Sequence, residues 1–184
     1  MERFIAKRHL TARTGLALDP SALTLYDDVI DLSIGDTDYV TDPRIIERAF
    51  VDAKAGHTHY GHPKGDPELI TKLSQAWEED WGQALPESEV MVTASSCLGM
   101  ALVMLSIIDP GDEVIVFSPY FTPYIDQIEL AGGVCVEVET RAEDHYRIRE
   151  QALEDALSPK AKAIIFNNPI RVWRTWRLLR FSTS

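Results

Sequence analysis

The sequence is poor in several residues and patterns that mark particular classes of protein. It has only two cysteines, Cys97 and Cys135, which form neither a disulfide framework nor a CxxC motif, so a reducing compartment is expected. Acidic side chains outnumber basic ones by 29 to 18, which leaves a formal charge of −11. Nucleic-acid binding is therefore not expected, because contact with phosphates needs a basic surface. The sequence contains no Walker loop, no GxSxG or HExxH motif and no internal repeat.

Long apolar segments are missing as well. The longest, from Leu98 to Ile108, has 11 residues and ends at Asp109, which makes it too short to cross a bilayer. The first residues lack the apolar core of a secretory signal, and the early Glu2 disfavours a transit peptide. We therefore expect a soluble, cytoplasmic protein with no membrane partner.

The charge is distributed unevenly along the chain. The last 14 residues contain four arginines and no acidic residue, whereas the other 170 carry 14 basic and 29 acidic side chains, a formal charge of −15. This break predicts a boundary, with residues 171–184 as an aberrant basic tail. Two interpretations of the tail stay open: a frame-shifted or misassembled end of a longer gene, or a basic amphipathic helix suited to an anionic membrane.

What is present is an alternation of short apolar strands with helices. Four strands are predicted, at 89–93, 113–117, 134–138 and 163–166, with three helices between them, at 97–108, 123–131 and 148–157. Such alternation predicts an α/β fold, a mostly parallel sheet with helices on both faces. Two earlier helices, at 43–55 and 67–81, each follow an Asp-Pro pair and are expected to bury an apolar face. Residues 1–42 are expected to form an N-terminal arm and residues 43–170 the sheet domain.

Small polar residues occupy a predicted turn between a strand and a helix. In Thr93-Ala-Ser-Ser-Cys97, free N–H groups at the helix start and two serine hydroxyls favour binding of a phosphate. A simple helix N-cap is the alternative interpretation. Cys97 has no base paired with it in the sequence, so it is interpreted as a buried small residue.

Aromatic residues follow the next predicted strand. Tyr120 and Phe121 stand at its carboxyl end, where they are placed either to stack on a planar cofactor ring or to pack under the sheet. Three histidines, His57, His59 and His62, share one loop with glycine and proline. No cysteine or carboxylate completes a recognisable ligand spacing around them, so a metal site is not expected.

Taken together, the motifs between Asp31 and Pro169 resemble the class I/II aminotransferases, which are fold-type I enzymes dependent on pyridoxal phosphate. The resemblance rests on the order and spacing of DLSIGDTD, THYGHPKGDPEL, VMVTASS, DPGDEVIVFSPYFTPY and LSPKAKAIIFNNP. It implies part of the large domain of that fold, pyridoxal 5′-phosphate as cofactor, an amino acid and a 2-oxo acid as substrates, and a homo-oligomer. Within the class, the residues resemble the aspartate/aromatic branch.

The resemblance also implies roles for individual residues. Gly35 matches the glycine whose backbone lies near the substrate carboxylate, and Tyr60 matches the tyrosine that reaches the cofactor phosphate of the partner subunit. Phe121 matches the aromatic residue that stacks on the pyridine ring, with Tyr120 beside it as support. The turn that cradles the phosphate is matched by three consecutive residues, Ser95, Ser96 and Cys97.

The sequence departs from the family at two places. Ser95 stands where the family usually has glycine, and after NNP the family's Asn-Pro-Thr-Gly-like stretch is replaced by IRVWRTWRLLRF, from Ile170 on. The family's later residues are absent: the aspartate at the pyridine nitrogen, the Schiff-base lysine and the arginine for the substrate carboxylate. No lysine present lies in a matching context, whether Lys7, Lys54, Lys64, Lys72, Lys160 or Lys162.

The resemblance therefore implies a truncated aminotransferase, the N-terminal half only, with no catalytic residue of its own and inactive when alone. The alternative is a non-catalytic module or gene remnant that binds pyridoxal phosphate or pairs with an intact relative.

Overall fold

The structure is a computed structural model that describes residues 38–167, which fall into two compact units divided between His62 and Pro63. Residues 1–37 of the predicted arm and the whole predicted tail lie outside the described residues. The elements, in chain order, are α1 (Pro43–Lys54), α2 (Pro67–Trp81), a 3₁₀ turn (Glu87–Glu89), α3 (Ser96–Ile107), β1 (Glu113–Ser118), α4 (Pro123–Leu130), β2 (Val134–Glu139), a second 3₁₀ turn (Ala142–Asp144), α5 (Glu150–Ala156) and β3 (Ala161–Ile165).

The first unit contributes α1, whose start is determined by local chemistry. The Asp42 carboxylate accepts a hydrogen bond from the backbone N–H of Arg44 at 2.9 Å and pairs with its guanidinium at 2.6 Å. The side-chain bond, and after it the backbone bond, lower the pKa of Asp42, and the side-chain bond raises the pKa of Arg44. Pro43 occupies the first helical position, where its missing N–H costs nothing. The helix therefore begins where the Asp-Pro pair predicts.

The second unit opens with α2, which has the same kind of start. The Asp66 carboxylate accepts from the backbone N–H groups of Glu68, at 2.9 Å, and Leu69, at 3.2 Å. The helix ends at Trp81, and Gly82 follows in the left-handed conformation with φ of +65°. Because glycine adopts this conformation without steric cost, it is a common helix terminator. The predicted bounds of α2 are confirmed.

Both helices expose apolar side chains that the sequence predicts to be buried, and that prediction is wrong within the described residues. No residue of α1 is buried, and Phe50 is 65% exposed. In α2 only Ile70 is buried, whereas Leu69 and Trp77 remain half-exposed. The apolar face of an amphipathic helix is buried only where another layer of secondary structure packs against it. In the described part of each unit, little packs against these two faces.

A three-stranded parallel sheet forms the centre of the second unit. The strand order is β2-β1-β3, with β1 paired to β2 from Glu113↔Val134 to Ser118↔Glu139. On its other side, β1 pairs with β3 in parallel. The four central residues of β1, 114–117, are buried, which is typical of a parallel strand covered on both faces.

Successive residues of β1 point to opposite faces of the sheet, and helices cover both. One core cluster joins Val114 and Val116 to residues of α3, α4 and β3, with Met104, Ile108, Ile128 and Ile165 as its other buried members. A second cluster joins Ile115 and Phe117 to β2 and α5 on the opposite face, through Val138, Ala152, Leu153 and Ala156. The predicted α/β fold is confirmed.

The prediction of a first strand at Glu89–Thr93 is wrong. Glu89 ends a 3₁₀ turn, and residues 90–93 belong to no strand. The Val92 N–H donates to the Lys64 carbonyl at 2.8 Å, and Gly65 packs so closely that a Cβ there would lie 2.6 Å from the Val92 Cβ. A strand needs a neighbour to pair with, and within residues 38–167 no strand runs beside this segment.

Helix α3 is apolar on all sides, and the described residues cover one of them. Met104 is buried, whereas Leu98, Val103 and Leu105 are about half-exposed. A helix that is apolar all round is normally buried all round. No helix in the described part of the chain, this one of 12 residues included, is long and apolar enough to span a membrane.

Candidate functional site

The turn before α3 is held in one shape by two side chains. The Thr93 hydroxyl donates to the Ser95 carbonyl at 2.7 Å, and the Ser95 Oγ accepts from the Leu98 N–H at 3.1 Å. Ser95 is therefore the N-cap of α3. Its backbone is extended, with φ of −164° and ψ of 160°, a conformation that any residue adopts. Serine in place of the family's glycine thus needs no special backbone geometry here.

The cap leaves two N–H groups at the start of α3 available to a ligand. In the part of the chain that the structure describes, no acceptor faces the backbone N–H groups of Ser96 and Cys97, and both residues are exposed. The Ser96 hydroxyl is likewise without a partner among the described residues. The dipole of a 12-residue helix adds a partial positive charge at this end. The arrangement is suited to an anion such as a phosphate.

Cys97 differs from its prediction as a buried small residue. It is an exposed free thiol at the second position of α3. Its carbonyl and its Sγ both accept from the Gln127 Nε2, at 3.0 and 3.2 Å, and Gln127 itself is buried on α4. The interpretation was wrong because burial of a helix residue depends on the elements packed against it, which the sequence around Cys97 does not reveal.

Aromatic side chains gather where β1 leads into α4. Phe121 is 45% exposed and meets the Tyr124 ring edge to face, with centroids 5.6 Å apart. Tyr120 packs against the core cluster beneath, and its hydroxyl donates to the Glu137 carboxylate at 3.1 Å. Of the two aromatics, Phe121 is the more exposed, whereas Tyr120 is tied to the core and to β2.

Helix α4 links the turn to the aromatic group. Tyr124, which contacts Phe121, and Gln127, which contacts Cys97, are three residues apart on α4. Residues at this spacing lie on the same helix face, with Cβ atoms about 5–6 Å apart. One face of α4 thus holds both the candidate phosphate turn and the candidate ring platform, at the carboxyl end of β1. Gln127 was missed by the sequence reasoning, because nothing in the sequence marks a glutamine as buried and linked to another helix.

The structure says less about the remaining predicted site residues. Tyr60 belongs to the first unit, is fully exposed, and makes no hydrogen bond to any described residue. Gly35 lies outside the described residues. His57, His59 and His62 are exposed, and residues 38–167 contain no group of three metal-ligating side chains.

A polar groove of about 420 Å³ lies away from the turn, between β2 and α5. Its two arginines are already paired: Arg141 with Glu139 at 3.0 Å, which raises the pKa of Arg141, and Arg149 with Asp144. Because neither cation is free, the groove is a poorer anion site than the start of α3.

Comparisons with known proteins all identify aminotransferases as similar to this chain. A family model described as aminotransferase class I and II matches residues 27–170. The aspartate aminotransferase of Geobacillus stearothermophilus is 34% identical over 170 residues, which are 90% of this chain and 43% of that protein. The aspartate/prephenate aminotransferase of Thermus thermophilus is 34% identical over 142 residues, 77% of this chain and 37% of that protein.

Solved structures agree with the family match. An aspartate aminotransferase structure from Thermus thermophilus superposes with a TM-score of 0.82 at 31% identity, covering 91% of this chain and 45% of that one. An alanine aminotransferase from Pyrococcus furiosus gives a TM-score of 0.83 at 27% identity, with 91% and 44% covered. The chain therefore spans less than half the length of the relatives it matches.

Proposed function

Because the chain belongs to the aminotransferase class I and II family, we propose that it supplies the cofactor-binding part of a pyridoxal-phosphate-dependent transaminase. The reaction of the whole enzyme is transfer of an amino group between an amino acid and a 2-oxo acid. One observation carries this proposal: two available N–H groups and a hydroxyl at the start of α3 are linked through α4 to an exposed aromatic ring. This is the pairing of an anion site with a ring platform that a phosphorylated aromatic cofactor requires.

The proposed contacts divide between the two ends of the cofactor. Ser96 and Cys97 bind the phosphate through their N–H groups and the Ser96 hydroxyl, while Ser95 holds the turn as its cap. Phe121 stacks on the pyridine ring. Gly35 is proposed to lie near the substrate carboxylate. Pyridoxal phosphate, when bound, supplies the electron sink for negative charge at the substrate Cα.

We propose that the 184 residues alone do not catalyse the transfer. Lys160 precedes β3, and its carbonyl accepts from the Glu113 N–H at the first residue of β1. The phosphate and ring site lies at the opposite, carboxyl end of β1, about 17 Å away along a strand of six residues. Lys162, near the start of β3, lies at the same end of the sheet as Lys160, opposite the phosphate and ring site. The Lys64 ammonium donates to the Ser88 carbonyl at 3.1 Å. None of these amines is placed to act at the substrate.

The proposal includes self-association and a tail that is not part of the family domain. Tyr60 is exposed and free to reach the phosphate of a partner subunit, which supports a homo-oligomer with shared sites. The family match ends at residue 170, where the composition changes, which supports 43–170 as the domain portion and 171–184 as the tail. The sequence has two cysteines, Cys97 and Cys135, and no disulfide framework, which supports a reducing, cytoplasmic location.

Cofactor binding and lysine chemistry are tested on the same purified chain. Pyridoxal phosphate binding is measured by equilibrium dialysis for the native chain, for Phe121→Ala and for Trp77→Ala, which removes an aromatic of similar exposure on α2. We expect weaker binding for Phe121→Ala alone. Equal binding by the three chains would refute the ring platform.

Borohydride treatment followed by mass spectrometry of the intact chain tests the absence of a catalytic lysine. We expect no stoichiometric adduct at a single lysine and no transaminase turnover. Such an adduct would overturn the proposed inactivity while leaving cofactor binding intact. Binding without an adduct or turnover also fits the alternative of a non-catalytic module, which differs in needing an intact relative as its natural partner.

A further inference from the structure

Gln127 is one of two buried polar side chains among the described residues, and it is only half-satisfied. It is 6% exposed, and its Nε2 donates to the Cys97 carbonyl at 3.0 Å and to the Cys97 Sγ at 3.2 Å. Its Oε1 is buried with no hydrogen-bond partner in the described part of the chain. The nitrogen must be the atom that faces Cys97, because a backbone carbonyl only accepts.

This half-satisfied state argues that Gln127 does not serve stability. A buried acceptor without a partner carries a desolvation penalty, which offsets what the two bonds from Nε2 contribute. An apolar side chain of the same length, such as methionine, would fill the space without that penalty. A role other than stability must therefore explain the amide, and its bonds to the carbonyl and Sγ of Cys97 indicate that role.

The two N–H groups proposed to bind phosphate lie within a run of three peptide groups. The first, between Ser95 and Ser96, carries the Ser96 N–H, and the Thr93 hydroxyl holds its carbonyl oxygen. The third, between Cys97 and Leu98, is held at its N–H by the Ser95 Oγ and at its oxygen by Gln127. The middle peptide carries the Cys97 N–H. Because each peptide group is planar, fixing the first and third restricts the orientation of the one between them.

We infer that Gln127 is a positioning residue that aims the Cys97 N–H at the cofactor phosphate, so that part of the affinity for phosphate originates on α4 rather than in the turn. The inference rests on the proposed function, because it assumes that the turn binds phosphate. It adds a residue that acts through the Cys97 carbonyl and does not itself touch the ligand.

The test compares two ligands that differ only in the phosphate. Pyridoxine 5′-phosphate and pyridoxine lack the aldehyde, so neither reacts with lysines, and the ratio of their dissociation constants isolates the phosphate contribution. The native chain should bind the phosphorylated form more tightly. Gln127→Met should reduce that preference about fivefold or more while leaving the stability to urea equal or higher.

Ile128→Val is the matched control, since it removes one methyl group from the fully buried neighbour of Gln127 on α4. It should lower stability and leave the phosphate preference unchanged. If Gln127→Met keeps the native preference, the inference is overturned and the proposed phosphate turn stands. If Ile128→Val loses preference in step with its stability, Gln127 acts only by packing, and the inference fails. If the native chain has no preference for the phosphorylated form, both the inference and the proposed phosphate site fail.

Discussion

Replacing either of two adjacent serines at the start of α3 by alanine should change a different property: stability for Ser95 and phosphate affinity for Ser96. The Ser95 Oγ is occupied as the cap, because it accepts from the Leu98 N–H at 3.1 Å. The Ser96 hydroxyl has no partner in residues 38–167 and stands beside the two available N–H groups. Ser95→Ala therefore removes a structural bond, whereas Ser96→Ala removes a donor to the phosphate.

The expected magnitudes follow from these roles. Loss of a serine N-cap costs about 1 kcal/mol of unfolding free energy, and Ser95→Gly should cost only a few tenths. A hydrogen bond to a charged group contributes roughly 1.5–3 kcal/mol, and exposure places the Ser96 bond at the lower end. Ser96→Ala should thus raise the dissociation constant for pyridoxine 5′-phosphate about tenfold. Its unfolding free energy should stay within about 0.5 kcal/mol of the native value.

Urea unfolding followed by far-ultraviolet circular dichroism measures stability, and equilibrium dialysis measures affinity. Ser106→Ala is the control, since the Ser106 hydroxyl only donates to the Leu102 carbonyl within the last turns of the same helix. It should change neither quantity by much. The reasoning is refuted if Ser96→Ala destabilises the chain without weakening phosphate binding, or if Ser95→Ala is neutral for stability.

Three further predictions concern the fold. Asp66→Ala should cost about 1 kcal/mol because it removes the α2 cap, and Asp66→Asn should cost little; equal losses in urea unfolding would count against the cap. Gly133→Ala should cost about 1–3 kcal/mol, because the new Cβ would lie 2.8 Å from an Ile108 methyl carbon. Gly61→Ala, with nothing within 4 Å, is its neutral control in the same assay. The bonds from Arg44 lower the pKa of the Asp42 carboxyl in the folded chain. Their stabilisation of α1 is therefore fully present above the pKa that Asp42 has in the unfolded chain, and it is lost as the pH falls through the pKa that Asp42 has in the folded chain. An Arg44 amide resonance that titrates at or above the ordinary aspartate pKa would contradict this.

Local chemistry explains which features were predictable. The starts of α1 and α2 follow from Asp-Pro pairs, where the cap and the missing N–H act within three residues of the helix start. The run of apolar residues in β1 predicts a strand buried on both faces, and the structure confirms it. The same reasoning failed at residues 90–93, because an extended apolar segment becomes a strand only when a neighbour pairs with it. It also failed for the faces of α1 and α2, whose cover depends on other layers.

The sequence by itself determined the α/β alternation, the capped helix starts, the resemblance to the aminotransferases and the identity of the candidate phosphate turn. These depend on periodicity, on capping and on the order of motifs, all of which act over short spans of chain. Only the tertiary structure decided that Cys97 is exposed and that Gln127 on α4 holds the turn. The physical reason is distance along the chain: Gln127 and Cys97 are 30 residues apart, and only packing of α3 and α4 on the same face of the sheet brings the amide to the carbonyl.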